Sequence, residues 1–177
     1  MNWPLSVIST STDSTRDLAA RLAPLCDRGD VVLLIGDLGA GKTAFAQGLA
    51  AGLGVEGPVT SPTFALVRQY RCGEQSPVTT LIHADVYRTG SLPEVVDLAL
   101  AELVEDEAVA VVEWGELAAP ALGESALEVT LTTVPDPASD NGSAEARRIR
   151  VAGRGRWATR AGELASAWPE ARSGDTA

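Results

Sequence analysis

The 177-residue chain combines 45% apolar residues with a formal net charge of −10 at pH 7. These numbers fit one α/β domain with a buried core over residues 1–168, followed by a disordered tail at 169–177. They exclude a membrane span of ~20 apolar residues and a secretory signal peptide, which favours a cytoplasmic protein, and the negative charge opposes autonomous nucleic-acid binding.

The predicted elements alternate between helices and strands, which is typical of layered α/β folds. Thr12 or Asp13 can cap a first helix over residues 15–25. The apolar run at 31–35 predicts a buried strand, and a second helix is predicted over 44–53. A loop of special composition connects that strand to that helix.

This loop has the G-x-x-x-x-G-K-T pattern, and its residues are Gly36-Asp37-Leu38-Gly39-Ala40-Gly41-Lys42-Thr43. Its glycines allow successive backbone N–H groups to converge on a phosphate at the start of the helix. In such loops the lysine reaches the β- and γ-phosphates, and the threonine hydroxyl is a ligand of Mg²⁺. The pattern therefore predicts binding of a purine nucleoside triphosphate; the alternative is a glycine-rich turn without a ligand.

A polar, proline-containing connector is predicted over residues 59–64. Its hydroxyls at Thr60, Ser61 and Thr63 are either sensors of the γ-phosphate or ordinary connector residues. Two strands at 64–70 and 78–83 flank a short loop, so they are predicted to form an antiparallel hairpin in a mixed sheet.

The second half of the chain continues the alternation. Ser91 and Glu94 form a capping-box pattern that opens a helix ending at about Val104. The remaining predicted elements are a buried strand at 108–112, a hairpin of strands 127–134 and 148–152 joined through Asn141-Gly142, and a terminal helix at 157–168. We therefore predict a three-layer α/β fold of the P-loop NTPase type, with a mixed sheet that includes antiparallel hairpins.

Acidic residues follow two of the predicted strands. Asp85 comes two residues after the end of strand 78–83, and Glu113 directly follows strand 108–112. Ligands of α/β sheets bind at the carboxyl ends of the strands, so both acids can reach Mg²⁺ or an attacking water. Ordinary turn or capping residues are the alternative, but a triphosphate site requires a carboxylate near its metal.

The sequence leaves the roles of three further residues open. His83, the only histidine, is more often structural than functional in such a position. Arg88 either touches the γ-phosphate or pairs with a surface acid. Trp114 is either a core aromatic residue or part of a contact surface.

Four motifs in this order and spacing give the chain a family resemblance: the loop GDLGAGKT at 36–43, SPTF at 61–64, HADVYR at 83–88 and VEW at 112–114. Over residues 13 to about 114 it resembles the TsaE family of bacterial tRNA threonylcarbamoyladenosine biosynthesis proteins. The resemblance implies a small ATPase that uses ATP and Mg²⁺ and is required to modify the adenosine that follows the anticodon. It also implies the protein partners TsaD and TsaB, which together hold the tRNA.

The resemblance also implies roles for individual residues. Asp85, Lys42 and Glu113 are the implied catalytic residues, with Asp85 positioning or activating water. Thr43 and Glu113 are the implied magnesium ligands. The implied nucleotide-binding residues are Ser11 and Asp13 near the adenine, and Asp37, Leu38, Gly39, Ala40, Gly41, Lys42 and Thr43 around the phosphates.

One expected nucleotide contact departs from the family pattern. The late hairpin of the family supplies a basic residue, but Ala144 occupies the aligned position here. Arg147 or Arg148 is the expected substitute.

Competing functions remain at this stage. A GTPase would require an Asn-Lys-x-Asp base reader, which the chain lacks. A small-molecule kinase would require an arginine-rich lid. The third alternative is a clamp that binds nucleotide to hold its partners and barely hydrolyses it.

Overall fold

The computed structural model describes residues 3–62, 65–89, 92–105, 108–136 and 145–173. Within this part of the chain, eight strands form one mixed sheet with helices on its faces. The strands are β1 Leu5–Ser9, β2 Val31–Ile35, β3 Val67–Arg71, β4 Thr80–Asp85, β5 Ala108–Glu113, β6 Ala126–Pro135, β7 Glu145–Arg154 and β8 Arg172–Ser173. The α-helices are α1 Thr12–Leu22, α2 Lys42–Gly52, α3 Leu92–Asp97, α4 Leu100–Glu105, α5 Gly115–Ala118 and α6 Ala161–Ala167.

The strand order across the sheet is β3-β4-β5-β2-β6-β7-β1-β8. The pairs β4–β5, β5–β2 and β2–β6 are parallel, whereas β3–β4, β6–β7, β7–β1 and β1–β8 are antiparallel. The predicted mixed sheet with two antiparallel hairpins is therefore confirmed. The carboxyl ends of the parallel strands β2, β4 and β5 lie at one edge, which is where the glycine-rich loop begins.

Two hydrophobic clusters lie on opposite faces of the sheet. The larger one packs α1, α2 and α6 against β1, β2, β6 and β7, with Phe45, Leu49, Trp157 and Trp168 among its fully buried members. The smaller one packs α3, α4 and α5 against β2, β4 and β5. The parallel strands are therefore covered on both faces, which explains why β5 is a continuous apolar run up to Glu113.

Helix α2 lies unusually close to α1 because of a small residue in its middle. A Cβ atom at Gly48 would collide with the backbone carbonyl of Arg16. The side chains of Arg16 and Gln47 join the same two helices, with Arg16 Nε 3.2 Å from Gln47 Oε1. This packing fixes the position of the N-terminus of α2, where the glycine-rich loop ends.

The amino-terminal part differs from the sequence prediction in two ways. Helix α1 begins at Thr12 rather than at residue 15, and Ser11 caps it by accepting a hydrogen bond of 3.0 Å from the N–H of Ser14. The prediction of Thr12 or Asp13 as the cap was therefore wrong. Strand β1 was not predicted, because its five residues include two serines and gain stability from pairing with β7 and β8.

The predicted helix ending at Val104 is two short helices. Ala99, with a φ of 52°, separates α3 from α4. The break allows Val95, Leu100 and Val104 all to be buried in the smaller cluster, which one straight helix of this composition would not achieve. Ser91, the predicted cap, lies outside the described residues, as do Thr63, Asn141-Gly142 and Ala144.

The carboxyl-terminal part also differs from the prediction. Its helix is shorter, and more of its residues belong to the fold. A short 3-10 helix at Gly155–Trp157 precedes α6, so the predicted helix at 157–168 is confirmed only for 161–167. Ala171 is buried, and Arg172–Ser173 pairs with β1. Residues 171–173 are therefore part of the fold rather than of a tail that begins at 169, and residues 174–177 lie outside the described residues.

Across the described ranges, no helix combines the length and the apolar character that a membrane crossing requires. Both cysteines are buried and free, and burial raises the pKa of the Cys26 and Cys72 thiols, so neither is a reactive nucleophile.

Candidate functional site

The glycine-rich loop spans residues 36–43 and connects β2 directly to α2. Gly41 precedes the helix with a φ of 106°, a backbone conformation that an L side chain rarely adopts. A Cβ atom there would also lie 3.0 Å from Nε of Arg147. The strand, loop and helix thus occur in the order that the sequence predicts.

Lys42 is folded back over its own loop. Its Nζ donates to the carbonyl oxygens of Gly36 at 2.5 Å and Asp37 at 2.8 Å, and it lies 3.7 Å from the ring centroid of Trp114. Burial lowers the pKa of its ammonium group, while nearby carboxylates, Glu113 foremost, act in the opposite direction. The lysine therefore places a buried positive charge at the start of α2.

The two predicted carboxylates lie side by side at the ends of parallel strands. Asp85 and Glu113 are register partners of the β4–β5 pair, and their exposed fractions are 8% and 4%. Both also line the same cavity as Lys42 and Thr43. The sheet register therefore brings the four side chains together, as we expected from the strand ends.

Both oxygens of Glu113 are engaged. The hydroxyl of Thr43 donates to Oε2 at 3.0 Å, and Nε2 of His83 lies 2.9 Å from Oε1. A hydroxyl and a carboxylate oxygen held this close are the type of donor set that Mg²⁺ prefers. This pair fits the predicted metal ligands.

His83 has a specific partner that the sequence did not reveal. Its side chain is fully buried, its Nε2 lies 2.9 Å from Oε1 of Glu113, and its Nδ1 has no hydrogen-bond partner among the described groups. The ring therefore orients the carboxylate of Glu113 by holding Oε1, while Oε2 is directed to Thr43. The sequence indicated this contact only indirectly: His83 and Glu113 lie on neighbouring parallel strands, and strand alternation places both on the same face of the sheet.

Asp85 is held by the connector that follows α2. Ser61 donates its hydroxyl to Oδ2 at 2.8 Å, and the backbone N–H of Tyr87 donates to Oδ1 at 3.1 Å. Each carboxylate oxygen keeps a second lone pair, so Asp85 can still accept a proton or orient a water. Ser61 thus links the connector to the acid.

Two aromatic rings form a wall of the site. Trp114 adopts a left-handed backbone conformation with a φ of 61°, and its ring lies 4.5 Å from the ring of Tyr87, centroid to centroid. The chain turns at Trp114, and the indole is half-buried against the smaller hydrophobic cluster while one ring face lies over Lys42. Trp114 therefore packs against the core and also lines the cavity, so the structure combines a core role with a place in the site.

A cavity of about 490 Å³ contains these groups. It is lined by Thr12, Leu38, Gly39, Gly41, Lys42, Thr43, Ala44, Ser61, Asp85, Tyr87, Arg88, Glu113, Trp114 and Arg147. A larger cavity of about 730 Å³ lies near the β3–β4 hairpin loop and the end of α2, away from all the candidate residues.

The cavity separates the predicted residues into two groups. Arg147 lines it, whereas Arg148 does not, so the structure favours Arg147 as the basic residue of the late hairpin. Thr12 lines it in place of Ser11, whose hydroxyl caps α1, and Asp13, whose exposed carboxylate pairs with Arg16 at 2.8 Å. Tyr87 belongs to the HADVYR motif but was given no role, Arg147 was left undecided against Arg148, and Thr12 was considered only as a helix cap.

Comparisons with known proteins find similar proteins both by sequence and by structure. The family model described as "Threonylcarbamoyl adenosine biosynthesis protein TsaE" matches residues 9–140. A protein of Streptomyces coelicolor named tRNA threonylcarbamoyladenosine biosynthesis protein TsaE is 45% identical over 147 residues, covering 81% of this chain and 94% of that protein. Proteins of the same name from Treponema pallidum and Bacillus subtilis are 40% and 38% identical, covering 73% and 72% of this chain and 92% and 77% of theirs.

A solved structure supports the fold. The crystal structure of Bacillus subtilis YdiB superposes with a TM-score of 0.71 at 29% sequence identity, covering 94% of this chain and 97% of that one. The structural similarity therefore extends over nearly the whole chain.

Proposed function

The chain belongs to the TsaE family of threonylcarbamoyl adenosine biosynthesis proteins, and from this premise we propose that it is a Mg²⁺-dependent ATPase that supports threonylcarbamoylation of tRNA in the cytoplasm. The role in tRNA threonylcarbamoyladenosine biosynthesis follows from membership of this family. The convergence of Lys42, Thr43, Asp85 and Glu113 on one cavity supports the ATPase part of the proposal.

In the proposed complex, the loop 36–43 binds the phosphates of ATP. Its N–H groups and the N-terminus of α2 favour an anion, and Lys42 exchanges its two carbonyl partners for phosphate oxygens. A phosphate beside the ammonium group offsets the burial that lowers its pKa. Trp114 confines the lysine to this position through the face of its ring.

Thr43 and Glu113 would hold the magnesium ion. In the described part of the chain, no three His, Cys, Asp or Glu side chains are grouped closely enough to form a metal cage. This donor set fits Mg²⁺, which proteins commonly bind through one or two side chains while phosphates and waters supply the other ligands. When bound, the ion neutralises charge on the β- and γ-phosphates.

Asp85 positions the attacking water or accepts its proton. It lies beside Glu113 at the strand ends but bonds to Ser61 and to the N–H of Tyr87 rather than to Thr43. The two carboxylates therefore have separate tasks: Glu113 serves the metal and Asp85 serves the water. Because Ser61 belongs to the connector 59–62, we propose that this connector responds to the γ-phosphate.

The proposed partners are TsaD and TsaB, and the chain reaches tRNA indirectly through that complex. We expect slow ATP hydrolysis by the isolated chain and faster hydrolysis when both partners are added. Multiple-turnover formation of threonylcarbamoyladenosine should require ATP, and Asp85→Asn should join the complex without sustaining turnover.

One reconstitution assay separates the competing functions. Modified tRNA is measured by mass spectrometry, and the nucleotide products are separated by chromatography in the same reactions. Full modification with Asp85→Asn would show that hydrolysis is dispensable, so the nucleotide clamp would replace the ATPase. A phosphorylated small molecule in place of ADP and phosphate would identify a kinase.

A further inference from the structure

The negative charge of the chain comes from one stretch of its sequence. Residues 89–146 contain thirteen of the 24 acidic residues and none of the 14 basic residues. The rest of the chain therefore has more basic than acidic residues. Helices α3, α4 and α5 belong to this stretch, so the helical layer over the parallel strands contains acidic residues but no lysine or arginine.

The same helical layer exposes large apolar side chains. Leu92 and Val96 of α3 are 44% and 56% exposed, and Leu117 of α5 is 44% exposed. Leu92 and Val96 are four residues apart, so they form one ridge along α3. Helix α3 contacts both α5 and the 3-10 helix Ala119–Ala121, which places the three side chains in one packed layer. Exposed apolar side chains among polar neighbours are typical of an interaction surface.

A shallow groove opens where α3 meets α4. Its volume is about 130 Å³, and its lining comes from both sides of Ala99, with Val96 from α3 and Leu100 and Glu102 from α4. The left-handed backbone of Ala99 turns the chain at this junction, so the two short helices diverge there. Among the described residues that line the groove, Glu102 alone is charged. The groove therefore suits an aliphatic side chain with a cationic group beside it.

Exposed carboxylates accompany these apolar side chains. Glu94 and Asp97 lie on α3, Glu102 lies on α4 and Glu116 lies on α5, and all four are exposed. Within the described residues, Asp97, Glu102 and Glu116 form no ion pair. We call this surface the acidic helical face and define it by Leu92, Val96, Leu117, Glu94, Asp97, Glu102 and Glu116.

The charge of the acidic helical face decides which class of molecule it attracts. Nucleic acids and anionic lipid surfaces are negatively charged, so the face repels both. A second copy of the chain would place like charges opposite each other, which is unfavourable at an interface. A protein segment with lysine or arginine side chains is attracted instead, and its apolar side chains can cover the exposed ridge.

We propose that the acidic helical face binds a basic amphipathic helix of a partner protein. An aliphatic side chain of that helix enters the groove beside Val96, its neighbours cover Leu92 and Leu117, and its basic side chains pair with Asp97 and Glu102. The apolar contacts supply most of the affinity, whereas the carboxylates give specificity and speed the association. Other residues line the nucleotide cavity, so binding of the helix and binding of ATP can be measured separately.

The probe for this surface is a synthetic amphipathic peptide in which leucine and lysine lie on opposite faces of a helix. Its control has the same leucines with glutamate in place of every lysine. Fluorescence anisotropy measures the binding of each labelled peptide to the full chain at low and at physiological salt, without ATP and without other proteins. We expect the lysine peptide to bind and the glutamate peptide not to bind.

Two double variants separate the apolar from the electrostatic contribution. Leu92→Ser/Val96→Ser removes the ridge without changing the charge, and it should lower the affinity for the lysine peptide by about tenfold at both salt concentrations. Asp97→Asn/Glu102→Gln keeps the ridge and removes two charges. It should lower the affinity by about fivefold at low salt and by less at physiological salt, because salt screens exposed charges.

Matched controls lie outside the acidic helical face. Ile8→Ser replaces an exposed aliphatic side chain on β1, and Glu74→Gln/Glu163→Gln removes two exposed charges. We expect both controls to stay close to the unmodified protein in their affinity for the lysine peptide. Thermal melting of every variant controls for folding.

Three results would overturn the proposal. Equal binding of the lysine and glutamate peptides would show that charge does not select the occupant. Equal losses in the variants and in their matched controls would show that the peptide does not bind at this face. Unchanged affinity in Leu92→Ser/Val96→Ser would show that the apolar ridge is not part of an interface. The assay contains no ATP, tRNA, TsaD or TsaB, so failure of the proposed ATPase function leaves its result interpretable.

Discussion

The parallel and antiparallel halves of the sheet present opposite chemistry. In the parallel half, made of β4, β5 and β2, helices cover both faces and the buried acids Asp85 and Glu113 lie at the strand ends. In the antiparallel half, made of β6, β7, β1 and β8, helices cover one face, and Arg148, Arg150 and Arg172 are exposed on the other.

The difference follows from how each half is connected. Parallel strands require crossover connections, which bring helices over the sheet and leave the strand ends as the accessible place for a ligand. Antiparallel hairpins need no crossover, so one face can stay in contact with solvent. The comparison predicts that substitutions of the acids at the strand ends of the parallel half change nucleotide chemistry, whereas substitutions of Arg148, Arg150 or Arg172 in the antiparallel half do not.

The largest effect is expected from Asp85→Asn. Loss of the group that acts on water should lower ATP turnover by about 10²- to 10⁴-fold with little change in ATP affinity. Glu113→Gln should instead lose magnesium dependence of both binding and turnover. Phosphate release and calorimetric titration with and without Mg²⁺ distinguish the two; indistinguishable profiles would refute the division of tasks.

Nucleotide affinity is the second measure of the parallel half. Lys42→Ala should weaken ATP binding by about 100-fold or more, since charge-assisted hydrogen bonds contribute about 1.5–3 kcal/mol each. Thr43→Ala should weaken mainly the Mg²⁺-dependent part. Calorimetry tests both predictions. Equal affinities for the two variants and the unmodified protein would show that the loop 36–43 does not bind the nucleotide.

His83 provides a smaller and more specific effect. His83→Ala should lower the apparent Mg²⁺ affinity by about 10- to 100-fold, because the carboxylate of Glu113 loses the donor that orients it. His83→Gln retains an N–H donor and should restore part of the affinity. Magnesium titration of turnover, with thermal melting as the folding control, checks this; a purely structural histidine would lower stability without changing the magnesium dependence.

The smallest expected effect lies on β7, in the antiparallel half. Arg147→Ala should weaken ATP binding by about tenfold, as one charge-assisted contact is lost, whereas Arg148→Ala should leave it unchanged. The two variants have the same charge and adjacent positions but opposite faces of β7. Equal effects in the titration would contradict the assignment of the two faces.

The local sequence by itself determined the loop 36–43 and its setting. An apolar strand, a G-x-x-x-x-G-K-T segment and a helix follow one another without interruption, so neighbouring residues suffice to define them. The same holds for the acids at the ends of β4 and β5 and for the β3–β4 hairpin, whose short loop allows only an antiparallel return.

Tertiary structure decided the contacts that depend on register. His83 and Glu113 are 30 residues apart in sequence and meet because β4 and β5 pair in parallel at one register. The choice between Arg147 and Arg148 depends on a period of two, so a shift of one residue would exchange their faces. Strand β1 likewise exists through its pairing with β7 and β8, since its residues alone bury too little apolar surface to specify a strand.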